Sequence, residues 1–175
     1  MRIWRTLILF LFFFSALIKG EEAQIDLFSE LLKFAEKGDA EAAYHIGMFY
    51  HLGINTEKDQ SKAFEWFQKA AFLGDPLASY KVGCYYAGQG SEINLNIDLE
   101  KALEYKLVAA KAGYALAQAD VANLYRFKGD LEKAEYWAVE AQKQISAPTE
   151  LTQKARMGKK RAVEHLKHLK SLSQN

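Results

Sequence analysis

The chain contains one cysteine, Cys84, and this scarcity excludes a fold held together by disulfide bonds. Its stability must therefore come from packing of the interior. We expect Cys84 to be an inert, partly buried helix residue; an intermolecular disulfide is the alternative.

Long apolar runs are also missing. A transmembrane helix needs about 20 apolar residues, whereas the longest run here, residues 7–18, has twelve. Arg2 and Arg5 precede it, which is typical of a secretory signal peptide. We expect residues 1–20 to be a signal peptide cleaved after Gly20, so that the protein is exported to a periplasm or to the exterior. The alternative is an uncleaved segment that anchors a scaffold in the envelope.

No pattern typical of an enzyme occurs. The sequence has no strand pattern followed by a Gly-rich phosphate loop and no Ser-His-Asp order in a supporting context. His165 and His168 have no carboxylate or thiol that completes a metal set. We therefore expect no catalytic residue, no metal and no cofactor.

The net charge is small, because 23 basic residues and 22 acidic residues leave a net charge of +1 on the whole chain. It is unevenly distributed, because residues 149–175 carry seven basic and two acidic residues and leave the preceding body acidic. An acidic, exported body argues against nucleic acid as a partner. The basic tail is expected to be a solvated cap helix or, alternatively, a contact to an anionic surface or acidic partner.

The chain does contain an internal repeat. A block of aspartate followed by Lys-Ala and an aromatic begins at Asp59, Asp98 and Asp130, with spacings of 39 and 32 residues. A second block, with a β-branched residue before glycine or alanine, recurs at spacings of 36 and 39 residues: Ile46-Gly47, Val82-Gly83 and Val121-Ala122. Repeats of this length are typical of helical solenoids. The sequence therefore predicts an all-α fold, an α/α solenoid of about three repeats.

The repeated positions have a physical meaning. Glycine inside a helix costs roughly 1 kcal/mol relative to alanine, so Gly47 and Gly83 indicate that a neighbouring helix approaches closely. The three repeated aspartates are expected to cap helix N-termini. Gly38, Gly74 and Gly113 fall where helices should end.

These motifs resemble the Sel1-like repeat family, relatives of the tetratricopeptide repeats. The stretch Ala63 to Gly74 (AFEWFQKAAFLG) and the stretch Gly38 to Tyr50 fit its pattern closely. The third repeat departs from it, because Ala122 replaces the glycine and its loop is short. The resemblance covers about residues 27–142 and implies an interaction scaffold. We divide the chain into a signal peptide (1–20), an N-terminal capping helix (21–38), the repeats (39–147) and a basic C-terminal capping helix (148–175) weakened at Gly158.

The first helices of the repeats carry one further stripe. In tetratricopeptide relatives the equivalent face lines a concave groove that holds peptides, so the resemblance implies a binding face. Its members are Tyr44, Met48, His51, Tyr80, Cys84, Asn123 and Arg126. The alternative for Tyr44 and Tyr80 is packing between repeats.

The sequence thus predicts a non-enzymatic adaptor that binds a protein or peptide through this face. The alternative from another class is a weak hydrolase of β-lactams or cell-wall material, by analogy with disulfide-rich secreted relatives whose cysteine pairs this chain lacks.

Overall fold

The structure is a computed structural model that describes residues 27–89 and 92–172. The expected signal peptide, residues 21–26 of the expected N-terminal cap, and residues 90–91 of the second-repeat loop lie outside the described residues. Within the described ranges all regular elements are helical.

Helices follow one another in pairs. The first helix, α1, covers residues 27–36. Three pairs follow: α2 (Ala40–Leu52) with α3 (Gln60–Phe72), α4 (Pro76–Cys84) with α5 (Leu99–Lys111), and α6 (Ala115–Phe127) with α7 (Leu131–Ser146). Two further helices follow, α8 (Glu150–Arg156) and α9 (Lys159–Leu172). We call α2, α4 and α6 the A-helices and α3, α5 and α7 the B-helices.

Each A-helix packs on its own B-helix, and α3 and α5 pack on the next A-helix. This sequential packing is that of an α/α solenoid, which confirms the expected fold class. A π-helical turn, Tyr85–Gln89, continues α4. Its backbone departs from helical geometry at Gly88, whose φ of 83° is left-handed.

The expected helix ends are confirmed. The side chains of Asp59, Asp98 and Asp130 each accept a hydrogen bond from the backbone amide three residues later. Such caps satisfy amides that the first turn of a helix leaves free. The chain leaves α1, α3 and α5 through a left-handed glycine, with φ of 95° at Gly38 and Gly74 and 87° at Gly113, whereas α7 ends at Ala147 without one.

The two helix glycines lie where A- and B-helices approach most closely. A β-carbon at Gly47 would lie 2.7 Å from two ring carbons of Phe67. At Gly83 it would lie 2.7 Å from Cγ of Lys106 and 3.0 Å from the carbonyl oxygen of Ala102. The close approach expected from the repeat is therefore present in the first two pairs.

The last B-helix carries polar side chains at two positions where α5 packs against the next repeat. Glu135 of α7 occupies the repeat position of Leu103 in α5, and Gln142 occupies that of Ala110. Leu103 and Ala110 are buried between the second and third pairs, whereas Glu135 and Gln142 are exposed. α7 thus lacks two of the apolar contacts of α5, while its Leu131, Val139 and Ile145 are exposed apolar side chains.

The C-terminal segment differs from the single capping helix that we expected. It divides into α8 and α9 around Gly158, and α9 packs on α2 at the other end of the repeats. Ala162 and Leu166 of α9 are buried in the same apolar cluster as α1, α2, α3 and α4.

Candidate functional site

The central part of the expected binding face lies between α4 and α6. The hydroxyl of Tyr80 donates to Oδ2 of Asp120 at 3.3 Å, and Nζ of Lys106 donates to the same oxygen at 2.6 Å. Lys106 is only 3% exposed, so its charge is neutralised inside the solenoid by Asp120. The Tyr80 ring meets that of Tyr114 edge-on at 5.0 Å. Tyr80 is thus held rigidly, with part of its side chain still accessible.

Cys84 lies one turn after Tyr80 and is half-buried. Burial raises the pKa of its thiol, so the thiol stays protonated at neutral pH. Protonation removes the nucleophilic form, which agrees with a packing or contact role.

The α6 part of the face is open. Asn123 and Arg126 are exposed, and Nη1 of Arg126 donates to Oδ1 of Asn123 at 3.0 Å. The remaining N–H donors of the Arg126 guanidinium and the amide group of Asn123 are suited to bind carboxylate or peptide groups.

The α2 part of the face is tied to the interior. Nδ1 of His51 lies 2.8 Å from Oε1 of Gln60, and the hydroxyl of Tyr85 donates to that oxygen at 2.6 Å. Burial lowers the pKa of His51, which keeps the ring neutral. Met48 is half-buried against the apolar cluster.

Tyr44 does not line an open groove. It is 8% exposed, its ring centroid lies 5.9 Å from that of Phe67, and the guanidinium carbon of Arg161 lies 5.4 Å from the ring centroid. For Tyr44 the packing alternative describes the structure, because α9 covers this end of the face.

Sequence reasoning missed a cluster of charges beneath α9, which consists of Asp39, Glu41, Asp75, Arg161 and His165. Nε of Arg161 donates to Oε1 of Glu41 at 2.7 Å, and Nη2 of Arg161 lies 3.7 Å from Oδ2 of Asp75. Nε2 of His165 lies 2.7 Å from Oδ1 of Asp39. The only signal in the sequence was the spacing of Arg161 and His165, one helical turn apart and next to Ala162 and Leu166.

Burial and charge act in opposite directions within this cluster. Burial raises the pKa of Asp75 to about 6, outweighing the bonds it accepts as the cap of α4 and the attraction of Arg161. At Glu41 burial also favours the neutral form, but the nearby His45 and the hydrogen bond from Arg161 hold the pKa well below its usual range. Burial lowers the pKa of His45, which is neutral beside them.

The start of α8 caps α6. Asp39 and Asp75 cap α2 and α4, but the corresponding residue of α6, Tyr114, makes no side-chain cap. Instead, Oγ1 of Thr152 accepts from the backbone amide of Ala115 at 3.1 Å, and Oγ1 of Thr149 donates to the carbonyl oxygen of Gly113. The C-terminal segment therefore touches the N-terminal ends of all three A-helices.

Within residues 27–89 and 92–172, no group of three or more His, Cys, Asp or Glu side chains is arranged to hold a metal ion. None of the helices in that part of the chain is long and apolar enough to span a membrane.

The first two helix pairs are similar to a known family of repeats. Residues 40–75 and 76–114 match the Sel1 repeat family model, and each match contains one A-helix and its B-helix. The chain contains two Sel1 repeats. The third pair, α6 and α7, lies beyond the matched residues and carries the departures noted in its sequence.

Solved Sel1 structures share the fold. A Sel1 repeat protein from Oxalobacter formigenes is 27% identical, with a TM-score of 0.59, over 73% of this chain and 94% of its own. A protective antigen present in uropathogenic Escherichia coli strains, which displays an SLR fold, is 29% identical with a TM-score of 0.59. That match covers 67% of this chain and 25% of the antigen, so the chain spans about a quarter of that protein. No curated protein matches the chain.

Proposed function

We propose that this Sel1 repeat protein is a non-enzymatic adaptor that binds a protein or peptide through the exposed side of its A-helices. Sel1 repeat proteins are typically protein-interaction scaffolds, which supports the general class. The face and the partner's chemistry are our inference from the side chains.

One observation carries the choice of face. Two neighbouring repeat positions on the A-helices differ in burial and in how much their side chains vary. At the first position, Gly47, Gly83 and Ala122 are all small and buried against the B-helices. The next residues are Met48, Cys84 and Asn123, which differ in chemistry and are half-buried or exposed. Constant packing beside variable exposed side chains is the arrangement of a scaffold whose surface is adapted to a partner.

The open part of this face is the α4–α6 half, because α9 covers Tyr44. Tyr80 offers a rigid aromatic surface, and Arg126 with Asn123 offers hydrogen-bond donors beside it. Aromatic and arginine side chains dominate the energetics of many interfaces. An extended peptide with an acidic group fits these side chains.

We also propose that the adaptor works outside the cytoplasm, on the basis of the signal-like residues 1–20. N-terminal sequencing of the exported protein should give Glu21 as the first residue, and Met1 on exported material would contradict cleavage.

The binding face is tested by comparative capture. The chain and an Asn123→Ala/Arg126→Ala variant would be immobilised and exposed to an extract of the source cell, and captured proteins would be quantified by mass spectrometry. The matched control is Lys111→Ala, which removes an exposed cation at the end of α5. A partner retained by the wild type and the control but lost by the double variant supports the proposal. If the wild type, the control and the double variant all retained the partner equally, the partner would bind at another surface.

A further inference from the structure

We propose that α9 is a releasable internal ligand. It occupies a surface that receives a cationic amphipathic helix of a partner protein, and such a helix displaces it. We call this surface, formed by Asp39, Glu41 and Asp75 at the N-terminal ends of α2 and α4, the acidic seat. The inference rests on the proposed scaffold function and deepens it by giving the chemistry of one partner segment.

The ionic half of the contact is specific. Arg161 is 6% exposed and reaches both Glu41 and Asp75, while His165 reaches Asp39 and places Nδ1 3.6 Å from Oε2 of Glu41. Two cationic or titratable side chains one turn apart thus meet three carboxylates from two helices. The carboxylates lie in the first turns of α2 and α4, where Asp39 and Asp75 also cap the backbone.

The apolar half is small. Ala162 and Leu166 are buried beside Arg161 and His165, and Val163 and Leu169 pack at the edge. Residues 161, 162, 165 and 166 form one stripe of a helix, since neighbours on a helix surface are three and four residues apart. A partner helix that offers the same stripe, with cations around alanine and leucine, fits the seat.

The seat is imperfectly satisfied by α9. Among the described residues, Nε2 of His45 makes no hydrogen bond, although His45 is 4% exposed, and Nη1 of Arg161 makes none either. Nε2 of His45 lies 3.6 Å from Oε1 of Glu41 and next to the ring of His165, whose centroid is 6.3 Å from its own. Unpaired buried polar atoms cost free energy that a better-matched helix recovers.

The preceding helix, α8, is attached to the repeats independently of α9. Thr149 and Thr152 fix α8 to the start of α6, independently of α9. Gly158, exposed and with a left-handed φ of 51°, separates the two helices. Buried ion pairs recover little net stability because both partners lose their hydration, so a contact built on them is specific rather than strong.

The probe is a fluorescently labelled synthetic peptide of residues 157–172, and the readout is its anisotropy during titration with the full chain. In wild type the seat is filled by α9, and we expect weak binding. Arg161→Glu places a negative charge against the seat, so α9 should leave. Its affinity for the peptide should then rise at least tenfold.

Two matched controls separate release from general charge effects. Lys160→Glu makes the same change of charge on the exposed side of α9 and should behave as wild type. A peptide that itself carries Arg161→Glu should not bind the open variant. The charge-swapped chain Glu41→Arg/Arg161→Glu should close α9 again and lose binding of the wild-type peptide.

The results can overturn the inference in three ways. If circular dichroism showed that the Arg161→Glu variant had lost the repeat helices, α9 would be an integral part of the core. A folded Arg161→Glu chain that does not bind the peptide would show that the seat takes no free helix. If the wild-type chain formed a concentration-dependent dimer and released the peptide on dilution, a second copy of the chain would be the occupant of the acidic seat. The Asn123→Ala/Arg126→Ala variant tests the proposed function separately, since these residues lie outside the acidic seat.

Discussion

Nε of Arg161 donates a hydrogen bond to Oε1 of Glu41 at 2.7 Å, although 120 residues separate them. This bond joins the last helix to the first A-helix, so that the C-terminal segment runs past the starts of all three A-helices. The same helix covers Tyr44 of the expected binding face.

Removing either member of this pair should loosen α9. Hydrogen bonds to charged groups contribute about 1.5–3 kcal/mol, so Glu41→Gln should lower the free energy of unfolding by an amount in this range. Denaturant melts of Glu41→Gln, Arg161→Met and the double variant would give the coupling energy. Additive effects of the two changes would contradict a direct interaction.

Thr152 should contribute through the cap it lends to α6. Thr152→Val keeps the shape but leaves the amide of Ala115 without its acceptor, and loss of an N-cap costs about 0.5–2 kcal/mol. Hydrogen exchange at residues 115–118 should accelerate in Thr152→Val and remain near wild type in Thr152→Ser, which keeps the hydroxyl. Unchanged exchange in the valine variant would show that α6 does not depend on α8.

Gly83→Ala should destabilise the second pair although alanine is the better helix former. The added β-carbon would meet Cγ of Lys106 at 2.7 Å and the Ala102 carbonyl oxygen at 3.0 Å, and this backbone atom cannot move without shifting α5. Overpacking of a core costs about 1–3 kcal/mol. Ser61→Ala, at an exposed position of α3, is the control and should change stability by less than about 0.5 kcal/mol. A stabilised Gly83→Ala protein would contradict the close approach.

This glycine shows what the sequence predicts well. The small residue recurs at a fixed interval, and the aspartate caps recur with it, so the helix pairs and their close contacts follow from periodicity. The position of α9 does not, because Arg161 and His165 have no counterparts in the repeats and their partners are distant in sequence. The sequence therefore places Tyr44 on an open face, whereas α9 covers it in the structure. Asn123 and Arg126, which α9 does not reach, are exposed.

The acidic seat should make stability depend on pH through Asp75. Its carboxyl has a pKa of about 6 in the folded protein and an ordinary value of 3.8. Between these values the folded chain binds more protons than the unfolded chain, so the contribution of Asp75 to stability falls as pH rises through this range. The loss is at most about 1.4 kcal/mol per unit of pKa difference.

Asp75→Asn tests this dependence, because asparagine still caps α4 but does not titrate. The stability of the variant relative to wild type should increase between pH 4 and pH 7 in thermal or denaturant melts. The opposite dependence from Glu41, whose pKa is lowered, is common to both proteins and cancels in the comparison. Parallel stability curves would show that the pKa of Asp75 is not raised in the folded protein.

The scaffold account is tested most directly by the affinity of one captured partner for purified wild type and for Asn123→Ala/Arg126→Ala, measured by calorimetry at equal stability. We expect the double variant to lose at least tenfold in affinity while its melt stays within about 0.5 kcal/mol of wild type. Wild-type affinity in this folded variant would contradict binding through the exposed side of α6.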